Sequence, residues 1–162
     1  MVSMLKKISL AGHGILLLCF LLPFVSMSCD KHKIRTFAAH EFVTGTTIDT
    51  NGKIEKVQPE RYAIAALCAA VVGFIFSLFQ GKVSQLLVLS SSGLGAAAIY
   101  LLKQKLDGDI LQAGKGLLVL DYEPGYYIML AVFIGLAIAS LLIIGRLSNS
   151  NNKSSELSIN TA

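Results

Sequence analysis

The chain has no tryptophan, only three prolines and three cysteines in 162 residues, and 15% charged residues, against about 25% in ordinary soluble domains. Each scarcity excludes something. Three cysteines without a Cys-x-x-Cys spacing supply neither an even disulfide framework nor thioredoxin-like redox equipment. A net charge of +4, with no basic run interleaved with aromatics, leaves no footprint for nucleic acid. Gly-rich phosphate loops, nucleophile elbows and zincin helices are missing, so the sequence nominates no catalytic residue, no metal ligand set and no cofactor-binding residue. Charge is absent altogether from four stretches: 8–28, 62–79, 83–102 and 126–145.

Those stretches are 21, 18, 20 and 20 residues long and occupy 79 of the 162 positions. Crossing a hydrocarbon layer of about 30 Å takes roughly 20 helical residues, so each stretch has the length of one transmembrane span. The expected fold is a membrane all-α four-helix bundle over 1–147, followed by a polar tail, 148–162, too rich in Ser and Asn to hold fixed structure. The first stretch also has the grammar of a secretory signal, with Lys6-Lys7 before an apolar core and Cys29 where a lipoprotein would be cleaved. Ser26 and Met27 fit that cleavage site poorly, and an uncleaved span is the preferred reading.

Two long connections, 29–61 and 103–125, alternate with a minimal turn at 80–82, which places both long loops on one face and both termini on the other. Lys and Arg number nine on the loop side and five on the terminal side, so the positive-inside rule taken alone puts the loops in the cytoplasm. The loops, however, carry folding signals, and the first span resembles a segment that translocates the chain behind it. We therefore expect the termini to be cytoplasmic and the loops extracytoplasmic. In the first loop, 46–48 and 53–57 flank Asn51-Gly52, a hairpin signal because that pair accepts φ > 0. Thr36 could cap a short helix from Phe37 to Thr44 with Gly45 as its stop, although 33–37 alternates like a strand. In the second loop, Leu106, Ile110 and Leu111 prolong the third span before Gly114 and Gly116 break it, and Leu117–Tyr122 reads as a strand that joins the hairpin in one small sheet.

Within the spans, small residues recur every four positions, Ala65, Ala69, Gly73 and Ser77 in the second and Ala131, Gly135 and Ala139 in the fourth, and such stripes let helices approach closely. The third span gathers Ser90, Ser91, Ser92, Gly93 and Gly95. His13, between Gly12 and Gly14, is the most polar group at depth; a neutral ring bonded to a carbonyl or to a serine of another helix is the expected state. Gln85 is expected to be solvated at a span end. Cys19 and Cys68 read as small buried hydrophobes, and Cys29 with Cys68 as a poor disulfide pair. Asp30, His32, His40 and Glu41 are donors that zinc or copper accepts, but their spacing matches no closed site.

The segments 21–29 (LLPFVSMSC), 42–45 (FVTG), 114–118 (GKGLL) and 122–127 (YEPGYY) resemble those of small bacterial four-span membrane proteins without an assigned activity. The layout is also similar to that of claudins, whose two extracellular loops build a sheet above four helices, although the loop tryptophan and disulfide of claudins have no counterpart here. The resemblance implies a multi-pass protein of the bacterial inner membrane. The expected role is a non-catalytic interaction or accessory protein acting through its loop surface, with the lipid bilayer and either a protein partner or a second copy as its partners. A small-molecule or lipid transporter built around His13 and Ser91, and a redox or metal-binding protein using Cys29, His32 or His40, are the alternatives.

Overall fold

The computed structural model describes residues 2–29, 32–50, 53–79, 81–113 and 118–159. The first helix, α1 (Val2–Cys19), closes with backbone bonds from Leu21 N to Leu18 O and from Leu22 N to Cys19 O, both 3.0 Å. Pro23 has no N–H to extend that ladder, and its ring would collide with the preceding turn. The chain leaves the helix there, and Pro23–Cys29 forms strand β1. The helix expected over 8–28 is thus shorter, its apolar part running from Lys7 to Cys19. The stretch is charge-free to its end because β1 is the central strand of a sheet, with Phe24, Val25 and Ser26 all buried. A strand covered on both faces and a helix end are alike in composition.

That sheet has the order β2-β1-β5 and is antiparallel throughout, with β2 at His32–Ala38 and β5 at Leu118–Tyr122. Val25 lies opposite Phe37 on one side and Tyr122 on the other. The strand alternation of 33–37 prevails over the helix start at Thr36: Thr36 pairs with Ser26, and the short helix α2 is confined to Ala39–Thr44. Its first turn is closed by the Glu41 carboxylate, which accepts a bond from Ala38 N at 3.1 Å. Its stop is Gly45, as expected, at φ 76°, a left-handed value that side chains with a Cβ avoid. The hairpin also forms, with β3 (Thr46–Thr50) pairing β4 (Lys53–Val57), but it is a separate two-stranded sheet. The single sheet expected from the two loops is therefore corrected: β5 pairs with β1, a strand that the absence of charge assigns to a span. Asn51-Gly52, Asp30, Gly114, Gly116 and Leu117 lie outside the described residues.

Three helices are long and apolar enough to cross a membrane: α3 (Arg61–Leu78), α4 (Lys82–Ala113) through Asp109, and α5 (Pro124–Ile159) through Arg146. Helix α1 lies against α3 and α5, and α4 lies against the same two. The tail expected to lack fixed structure continues the α5 backbone as far as Ile159. Pro124 opens α5, where its missing N–H costs nothing.

The sheet is seated on the helix ends by aromatic packing. Phe24 is fully buried between Phe42 and Tyr126, with ring centroids 6.0 and 5.6 Å away and edge-on geometry, and Phe37 touches Phe42 at 5.8 Å. Gly125 lets α5 start against β1: a Cβ there would stand 2.2 Å from the Pro23 carbonyl oxygen. Arg35 ties the hairpin down, donating to Thr47 O at 3.1 Å, Thr46 Oγ1 at 3.2 Å and Glu41 at 3.3 Å while its guanidinium covers the Phe37 ring. The outer end of α4 joins through Tyr122, whose hydroxyl donates to Asp107 at 2.6 Å beneath the Lys103 ammonium.

Burial, reinforced by the Asp107 bond, holds the Tyr122 phenol above the usual tyrosine range. The folded chain therefore keeps a proton that the unfolded chain releases above about pH 10, so this contribution to stability is complete below that pH and falls as pH rises further. Unfolding midpoints in detergent should show Tyr122→Phe less stable by about 1–2 kcal/mol at neutral pH, with a shallower alkaline decline than the wild-type chain. Parallel pH curves for the two proteins would contradict this placement of the phenol.

Candidate functional site

His13 sits on α1 with no exposed surface, four residues after Ser9 on the same helix face. Its Nδ1 lies 2.9 Å from the Ser9 carbonyl oxygen, an acceptor only, so Nδ1 carries the proton and Nε2 the lone pair in the neutral ring. Ser77 of α3 donates to Gly73 O at 2.8 Å, and its oxygen is 3.2 Å from Ser9 Oγ and 3.3 Å from His13 Nδ1. The four groups close one small network between α1 and α3. Both partners expected for a neutral histidine at depth, a carbonyl and a serine of another helix, are present.

Gly73 makes this contact possible. A Cβ there would lie 2.3 Å from His13 Nε2 and 2.8 Å from Ser91 Oγ, so imidazole and hydroxyl converge over the glycine from α1 and α4. Ser91 and Ser92 both donate back to Val88 O, at 2.9 and 2.8 Å, which occupies their protons within α4. Three buried polar atoms lack a hydrogen-bond partner among the described residues: His13 Nε2, Gln85 Oε1 and Ser140 Oγ. Gln85, expected to be solvated, is 1% exposed and faces the interior from the first turn of α4. Ser140 escapes the sequence reading. It follows Leu136 by four residues on the buried face of α5, and that spacing is the signal that could have found it.

The small-residue stripes serve differently than expected. On α3, Ala69, Gly73 and Ser77 are buried, but Ala65 is exposed; on α5, Ala131 and Gly135 are exposed. The buried face of α5 carries large side chains instead, and these use glycines of the opposing helices: Phe133 fills the space over Gly95 and Leu136 that over Gly12. Ala65 and its neighbours line a lateral groove between α3 and α4, about 550 Å³, whose walls include Tyr62, Cys68, Ala69, Leu94 and Ala97. The groove is apolar apart from Ser90 and Ser91 toward its inner end.

The remaining candidates are dispersed. Cys19 is buried and Cys68 is exposed in the groove; both thiols are free. Cys29 ends β1 opposite His32, while exposed His40 lies in α2 beyond the other end of β2, a strand that itself spans roughly 20 Å at about 3.3 Å per residue. Glu41 is committed to Arg35 and to the start of α2. No group of three or more metal-binding side chains occurs among the described residues. Comparison with known protein families, with characterised proteins and with solved structures finds no match.

Because imidazole and hydroxyl already fill the space over Gly73, Gly73→Ala should lower stability by about 1–3 kcal/mol, the usual scale for overpacking. Ser77→Ala, which removes the two long interhelical contacts to Ser9 and His13, should cost less, on the order of 0.6 kcal/mol. Thermal unfolding of both variants checks the order; equal losses would mean that His13 does not rest on Gly73.

Proposed function

We propose that this chain is an integral protein of the bacterial inner membrane, a four-helix bundle with cytoplasmic termini, and that it acts without catalysis as an interaction or accessory component through its extracytoplasmic cap. The observation that carries this reading is how the cap is built. The central strand is locked to the helix ends by Phe24, Phe42 and Tyr126, whereas β2 and β5 are the two outer strands of their sheet. Outer strands offer unpaired backbone groups to an extended segment, and a fixed platform spares the partner the cost of ordering them. Val119 on β5 is 55% exposed, and Thr47 of the hairpin is exposed in the same cap.

The folded character of both connections and the signal-like start of α1 support this orientation. It requires the nine cations of the loop side to be translocated, which folded segments tolerate better than short loops. The partners proposed for the cap are protein segments or a second copy of the chain.

Photocrosslinkers placed at Val119 and at Thr47 in native membranes should capture one reproducible protein partner, or a second copy, whereas one at lipid-facing Leu142, 56% exposed, should not. Val119→Lys should weaken the Val119-side contact without unfolding the protein. Cap positions that capture nothing, or that capture the same species as Leu142, would remove this reading.

A further inference from the structure

The groove between α3 and α4 is bounded at its outer end by Tyr62, one residue after the exposed Arg61, and by Leu101. One turn beyond Leu101 on the same face of α4, Lys105 bonds Glu60 at 2.6 Å, and Asp109 comes one turn later. The mouth therefore carries the closed Lys105–Glu60 pair, flanked by the exposed Arg61 and Asp109. From there the groove runs along α3 from Tyr62 to Val72 and along α4 from Leu101 to Leu87, about 15 Å and 21 Å at the helical rise. One leaflet of hydrocarbon, half of a layer of about 30 Å, has that depth. Its floor is made of alanines, Ala65, Ala69, Ala97 and Ala98, and its rim of exposed Val72, Leu87, Leu94 and Leu101.

Alanines at facing positions normally bring two helices into contact, since nothing else drives association in lipid. They do so here, and the exposed Ala65 and Ala97, too small to cover the seam, leave a trough along its outward side. A trough of this shape in a bilayer is apolar and too large to stay empty, so an acyl chain is the molecule that fits its walls. The amphipathic Tyr62 ring marks the depth at which the chain gives way to a headgroup.

We propose that the α3–α4 groove binds one phospholipid of the cap-side leaflet, its acyl chain lying on the alanine floor and its zwitterionic headgroup at the mouth, phosphate toward Arg61 and amine toward Asp109, beside the Glu60 carboxylate that Lys105 holds. This rests on the membrane placement proposed above and not on any partner of the cap. It assigns the mixed charges at the mouth a ligand of matching pattern, and it explains why Ala65 and Ala97 are exposed and small where a lipid-facing helix could carry leucine.

The test is native mass spectrometry of the full chain released from mild detergent containing equimolar phosphatidylethanolamine and phosphatidylglycerol. The wild-type chain should retain a single phosphatidylethanolamine, in several-fold excess over phosphatidylglycerol. Ala65→Leu and Ala97→Leu, at exposed positions that leave the core untouched, should abolish the adduct, while Ala131→Leu on the exposed face of α5 should keep it. Arg61→Gln should reduce it several-fold. Absence of an adduct in the wild-type chain, an adduct undiminished by the groove-filling leucines, or a preference for phosphatidylglycerol would overturn the proposal. Failure here leaves the crosslinking result at Val119 and Thr47 unaffected, so the two readings stand or fall separately.

Discussion

Backbone groups buried away from water must bond one another, and the point at which this protein stops doing so by helix governs the rest of its architecture. That point is Pro23. A residue without an N–H cannot extend α1, so the groups after it need partners on other strands, and they find them on both sides, with β2 and β5. Being central, β1 can be apolar on both faces, and Phe24 uses this to enter the aromatic cluster that seats the sheet on α2 and α5. Gly125 completes the arrangement by allowing α5 to begin against the Pro23 carbonyl. Displacing β1 would unpair both outer strands at once.

Below the cap, helix contacts are set by where glycines face bulky or polar groups. Gly12 receives Leu136, Gly95 receives Phe133, and Gly73 receives His13 together with Ser91. Two of these contacts are apolar packing of the ordinary kind. The third is polar, and it combines a ring whose Nδ1 is satisfied by Ser9 with an Nε2 that has no partner among the described residues. The small network of Ser9, His13 and Ser77 links α1 to α3, which matters because α1 has the shortest apolar stretch of the four, Lys7–Cys19, with which to hold its place.

Much of this is legible from residues alone, and the exceptions have physical causes. The three long apolar helices, the hairpin across 46–57, the stop at Gly45 and the prolongation of the third span depend on local pattern, which the sequence carries directly. Strand β1 is not legible by charge counting, because a strand buried on both faces shows no period of two to set it apart from a helix end; Pro23 is the signal, and a count of charges ignores it. The pairing of β5 with β1 is hidden by the same omission. In the candidate site, the partners of His13 are foreseeable as types. Gln85 misleads because nearness to a span end suggests exposure, when its position relative to Val88 and Ser92 places it on the buried face. The α5 stripe misleads because small residues mark a close contact only when something opposes them, and Ala131 and Gly135 face outward.

Whether α1 is a fourth crossing decides the topology, since an 18-residue helix reaches about 27 Å and its apolar part, Lys7–Cys19, is shorter still. Single thiols at Ser3, Thr47 and Ser150, each in a chain whose own cysteines are replaced by serine or alanine, can be labelled in intact cells with a reagent that does not cross membranes. Four crossings with cytoplasmic termini predict that Thr47 reacts from outside while Ser3 and Ser150 react only after permeabilisation. If the Ser3 thiol labels from the same side as Thr47, α1 does not cross the membrane and the account fails.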